Sequence, residues 1–147
     1  MDPSEKDRRL VGLVHVVFLA SIGVYAVVLW IARRGGSAPL DPGGRAPALG
    51  IVLLALGAGE ISWANWLGRR QLSRGSRDAL SKVRSFFFLR FGAAEATAVF
   101  GLMLGFLGGS VAAVGLLFAL SAAALILAAP SRAAWNEAMA LASGEDR

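Results

Sequence analysis

The sequence predicts an all-α membrane protein, a four-transmembrane-helix bundle, and three observations carry that prediction. Four apolar runs reach the ~20 residues that a helix needs to cross ~30 Å of hydrocarbon. Composition agrees, with 56% hydrophobic residues and a mean hydropathy of +0.60, too apolar for an ordinary water-soluble domain. Charges lie between the runs: Glu60 is the only charged residue between Arg45 and Arg69, and Glu95 the only one between Arg90 and Arg132. The runs are long, rich in Leu, Ala and Gly, and lack the alternation of a barrel strand, so helix is preferred. Every backbone group in lipid needs an internal partner, and a closed bundle follows.

The first span is placed at residues 10–32. Lys6, Arg8 and Arg9 ahead of it have the look of a signal-peptide n-region, but the apolar run exceeds the usual ~7–15 residues. It ends at Trp30 and Arg33-Arg34 rather than at small residues, which predicts an uncleaved helix. Two Gly-Gly pairs and three prolines make residues 35–47 an irregular loop. The second span is 46–67, and a basic loop over 68–85 follows, with Arg69, Arg70, Arg74, Arg77, Lys82 and Arg84 against Asp78 alone. The third span is 86–107. Gly108-Gly109-Ser110 is a tight turn into a fourth span at 111–129. Pro130 stops that helix and Ser131 is placed to cap another. In the tail, 131–147, Trp135, Ala138, Met139 and Ala142 recur at helical spacing, which predicts a short interfacial helix or else a frayed end.

Orientation is read from Lys and Arg. Twelve lie in the amino-terminal tail, the 68–90 region and the carboxy-terminal segment, against Arg33, Arg34 and Arg45 in the first loop. This imbalance predicts both termini and the basic loop on the cytoplasmic side of a bacterial-type inner membrane. The net charge of +5 flanks apolar spans, so anionic lipid headgroups at the basic loop, not nucleic acid, are the expected partners. Without cysteine, no disulfide or thiolate metal site is possible.

A carboxylate inside a bilayer costs a few kcal/mol unless protonated, paired or turned to a polar cavity. Glu95 and Glu60, with His15, are therefore the candidate ion- or proton-binding residues. At 1.5 Å per residue from the cytoplasmic ends, His15 lies roughly 8 Å deep, Glu60 roughly 10 Å and Glu95 roughly 13 Å. Arg90, Asn65 and Ser62 fall nearby, and all could meet in one polar cluster with His15 or Arg90 balancing a carboxylate. The alternative is a set of interhelical hydrogen bonds that only fix packing. Neither glutamate has a histidine three residues on, and no phosphate loop or paired nucleophile and base is present. Metal, cofactor and enzymatic chemistry are not expected.

Ala93, Thr97, Gly101, Gly105 and Gly109 form a small-residue stripe that permits close helix packing, and Glu95 falls nearly opposite it. Either the third span is contacted on both sides, or Glu95 looks toward lipid or a partner subunit. Trp30, Trp63, Trp66 and Trp135 sit near span ends and read as headgroup-level anchors.

The run Glu95-Ala-Thr-Ala-Val-Phe-Gly101 resembles the second helix of the rotary ATPase c subunit, the proteolipid, where an essential carboxylate is followed by Ala and, six positions on, Gly. Arg69-Arg70-Gln71 resembles the Arg-Gln of that family's polar loop. The resemblance spans residues 46–107, and spans one and four have no counterpart in it. It implies that Glu95 is an ion-carrying carboxylate.

Two functions are thus expected. The preferred one is a non-enzymatic accessory or scaffold subunit of a membrane complex, contacting other membrane subunits or a second copy of itself. The other is a proton- or cation-handling protein built around Glu95, with Glu60 and His15.

Overall fold

In the computed structural model, residues 3–35, 46–73 and 78–144 are described. They form five helices and no strand: α1 (Pro3–Arg34), α2 (Ala46–Leu72), α3 (Ala79–Phe106), α4 (Val111–Leu127) and α5 (Arg132–Ser143). The predicted loop between Gly35 and Arg45 lies outside the described residues, apart from Gly35 itself.

Three of the helices, α1, α2 and α3, are long and apolar enough to cross a membrane, and α4 joins them if its bent pair with α5 counts as one span. The shortfall in α4 is one of length. Its 17 residues rise about 25 Å at 1.5 Å each. The chain then bends by 70° into α5. The helices also overrun the predicted loop at 68–85. α2 runs on to Leu72 and α3 begins at Ala79, leaving only a short connection. Arg, Lys and Gln are good helix formers once outside hydrocarbon, so charge marks the end of a span and not the end of its helix.

Residue chemistry sets the ends. Gly108 takes φ 84° after α3, and Ser110 caps α4 by accepting from the Ala113 N–H at 3.2 Å. Ser131, following Pro130, accepts from the Ala134 N–H at 3.2 Å to start α5, and Gly144 ends it in the left-handed conformation at φ 79°. The C-terminal segment is thus a helix docked onto the bundle. Trp135, Ala138 and Ala142 bury its apolar face against α3 and α2.

The helices alternate in direction. At one pole the Trp135 indole donates to the Ser4 hydroxyl at 3.0 Å, and Arg84 lies 3.8 Å from Asp7. At the other, the Arg33 guanidinium donates to the Gly109 carbonyl at 2.9 Å. Both ends of the described chain therefore sit at the first pole, where Arg8 and then Arg9 hold the Glu5 carboxyl down to about 2.

α3 is the centre of the bundle and touches each of the other four helices. Its small residues serve different neighbours. Thr97 sits against Gly57 of α2, Gly101 under Leu117 and Phe118 of α4, and Gly105 under Leu29 of α1. Gly109, beyond the helix, folds onto Leu104. The stripe is a set of three interfaces, and α3 is contacted on both sides. Two apolar clusters fill the interior, one around Phe87, Phe91, Leu125 and Trp135 and another around Leu29, Leu53, Leu104 and Leu117. Outside, Val16, Val24, Ile51, Leu56, Leu116 and Ile126 are exposed. An apolar exterior of this kind fits an integral membrane protein.

Two substitutions test the packing. A Cβ on Gly57 would lie 2.8 Å from the Thr97 methyl, on a β-branched side chain with little freedom to move. Gly57→Leu is expected to lower thermal stability in detergent, by about 1–3 kcal/mol, whereas Gly59→Ala, with nothing within 4 Å, leaves it unchanged or slightly raised. Trp135→Ala is expected to cost about 3–5 kcal/mol and to make α5 the first segment cut in limited proteolysis.

Candidate functional site

Glu95 faces α1. The Ser21 hydroxyl lies 2.7 Å from Glu95 Oε2 and the Tyr25 hydroxyl 2.5 Å from Oε1, so both carboxyl oxygens are engaged. Ser21 and Tyr25 reach it together because residues four apart share one face of a helix. Sequence reasoning missed both. The available signal was a Ser-x-x-x-Tyr spacing in an otherwise apolar span, containing the one tyrosine of the chain.

Ser21 Oγ also lies 2.7 Å from the Phe18 carbonyl oxygen. A hydroxyl has one hydrogen and two lone pairs, so it cannot donate to both neighbours at once. With a charged Glu95, Ser21 and Tyr25 each donate to the carboxylate. With a proton on Oε2, Glu95 donates to Ser21, which donates to Phe18. The same heavy-atom arrangement thus serves both forms of the carboxyl.

The expected cations are elsewhere. His15, 8% exposed, places Nε2 2.8 Å from the Leu125 carbonyl, with its ring 5.2 Å from that of Phe91. Because a carbonyl only accepts, His15 Nε2 carries a hydrogen there. Arg90 donates to the Leu127 carbonyl at 3.1 Å and lies over the Phe86 ring. The last carbonyls of a helix have no intrahelical donor and carry partial negative charge. The two residues expected to balance a carboxylate instead cap the carboxy-terminal end of α4, one from α1 and one from α3.

Glu60 is separate again. It lines a shallow outward groove of about 360 Å³ between α2 and α3, with Trp63, Ala64, Phe88, Gly92, Ala93 and Ala96 around it. Its Oε2 is enclosed yet has no hydrogen-bond partner among the described residues. Asn65 donates back to the Ile61 carbonyl at 3.0 Å and Ser62 to the Ala58 carbonyl at 2.8 Å, each within its own helix. Among the described residues no three His, Asp or Glu side chains converge as a metal site would require. The single polar cluster anticipated from depth alone is therefore three places: Glu95 of α3 against α1, His15 of α1 and Arg90 of α3 against the end of α4, and Glu60 of α2 facing outward.

Hydroxyl contacts bind the same turn of α3 to its other neighbours. Ser121 of α4 donates to the Ala94 carbonyl at 2.6 Å, while Thr97 lies 3.4 Å from the Gly57 carbonyl of α2 and 3.1 Å from Ala93 on its own helix. With Glu95 meeting α1, residues 94–97 form a polar collar linking three helices to the fourth.

Of the tryptophans, Trp30, Trp63 and Trp66 are exposed, with Arg34 over Trp30 at 3.9 Å and Arg70 over Trp66 at 5.0 Å. Trp135 departs from the expected anchor role. It is 2% exposed and stacks on Phe87 at 5.6 Å, because the bend after α4 carries it over the bundle end.

Comparison with known protein families, characterised proteins and solved structures finds no match to this chain, so its site is described by its own geometry.

Proposed function

We propose that this protein is a non-enzymatic accessory or scaffold subunit of a membrane complex and that it receives a partner transmembrane helix in the α2–α3 groove. One observation carries the reading: Glu60 Oε2 is enclosed in that groove without a donor among the described residues. An unmade hydrogen bond on a buried group costs about 1–3 kcal/mol, and a neighbouring helix with a hydroxyl, amide or cationic side chain would remove the cost. Gly92, Ala93 and Ala96 give such a helix close access to the α3 backbone. The other intramembrane polar groups described above have partners inside the bundle. In this reading the pole carrying both ends of the described chain and most of the Lys and Arg faces the cytoplasm of a bacterial-type inner membrane.

The Glu95 cluster favours a second reading, proton or cation handling. It offers a carboxyl and two hydroxyls in one place, and its stretch is the one that resembles the proteolipid helix. The dispersal of His15 and Glu60 away from it leaves Glu95 to act without them.

For the first reading, a photo-crosslinker at Trp63 or Phe88 is expected to join one defined membrane partner, while the same probe at Val24 on the outer face of α1 does not. Glu60→Leu should lower that crosslink roughly tenfold, the size of a polar contact between membrane helices, and Glu60→Gln should largely retain it. Equal capture from both faces, or no effect of Glu60→Leu, would count against the groove. For the second reading, proteoliposomes should show ion flux that Glu95→Gln abolishes without loss of folded protein. Flux that is absent in the wild type, or present in the variant, removes it.

A further inference from the structure

A second pocket lies at the basic pole, between the end of α2, the first half of α3 and α5. Arg69, Arg90 and Glu137 supply its charge, and Leu72, Phe86 and Leu141 its apolar lining. Arg69 and Glu137 are the charged groups near enough to act on Arg90. None of the three is in an ion pair among the described residues. Arg90 spends one donor on the Leu127 carbonyl. The guanidinium has five N–H donors, so most remain.

Three features put this pocket at the level of lipid headgroups. Exposed Trp63 and Trp66 precede Arg69 and Arg70 on α2, the order of an aromatic belt followed by interfacial cations. α4 ends at Leu127, beside Arg90. α5 then turns by 70°, which brings Glu137 over the pocket. Two guanidinium forks suit a phosphodiester, whose oxygens accept paired N–H donors. One carboxylate in the same pocket suits an ammonium and repels a second anion. Its N–H demand favours a primary ammonium over a quaternary one, which aromatic cages recognise instead.

From this arrangement we infer that the pocket binds the headgroup of a phosphoethanolamine-type phospholipid, with Arg69 and Arg90 on the phosphate and Glu137 on the ammonium. The apolar lining then receives the glycerol end of the lipid. The site is independent of the Glu60 groove and of Glu95.

The test uses the full chain in mild detergent with equimolar dioleoyl phosphatidylethanolamine, phosphatidylglycerol and phosphatidylcholine, read by native mass spectrometry. Phosphatidylethanolamine should be retained over the other two. Arg69→Gln should lower its retention roughly tenfold, the size of one charge-assisted hydrogen bond. Glu137→Gln should erase the preference over phosphatidylglycerol while total retained phospholipid holds. Both side chains are exposed, and an unchanged melting curve in phosphatidylcholine alone will show that each variant is folded. Even retention of the three lipids by the wild type, or undiminished retention in Arg69→Gln, overturns the site. Soluble glycerophosphoethanolamine should displace the lipid only in large excess. Displacement mole for mole would assign the pocket to a free phosphoester and overturn the lipid as its occupant.

Discussion

The bundle depends on how α3 is tied to its neighbours within a single turn. Ala94 receives Ser121 from α4, Glu95 meets Ser21 and Tyr25 of α1, and Thr97 reaches Gly57 of α2. In lipid the tails are as apolar as leucine, so helices gain little by hiding apolar surface from one another. Close contact and hydrogen bonds must do more of the work. Small residues provide the contact at the collar, where Gly57 meets Thr97, and beyond it, at Gly101 and Gly105. The hydroxyls then fix rotation and register, because each has a short reach and a defined direction.

The fold was legible wherever hydrophobicity alone decides it. The four apolar runs mark α1 to α4, and Pro130 with Ser131 marks the break before α5. Helix ends were less legible, because Arg69, Arg70, Lys82 and Arg84 end a span without ending a helix. Trp135 shows a different limit. Depth places a tryptophan near the interface but says nothing of which way the ring turns, and Phe87, its stacking partner, lies far away in sequence.

The candidate site was half legible for the same reason. Solitary glutamates stand out in an apolar sequence, but serine and tyrosine in a span do not, since both fit membrane helices at little cost. Counting from Leu10 at 1.5 Å per residue puts Ser21 about 17 Å deep, within a turn of Glu95. His15, nearer the same end, falls into the same window and carries the more conspicuous chemistry. What decided between them was rotation about the helix axis, which places His15 under α4 and Ser21 against α3. Sequence depth has no access to that angle.

The two glutamates now differ in a way that links the proposed readings. Glu95 is held by its own bundle, whereas Glu60 has an enclosed oxygen that the described residues leave unmet. The groove beside Glu60 includes Ala93 and Ala96, which flank Glu95 on the same turn of α3. A helix seated there would press on the backbone that holds the collar. Hydrogen bonds weaken steeply with distance and angle, so a small rotation of α3 would loosen the contacts of Glu95 with Ser21 and Tyr25 before it disturbed the apolar core. A partner in the groove and a proton on Glu95 would then act on the same helix turn, and any coupling between them must be reciprocal.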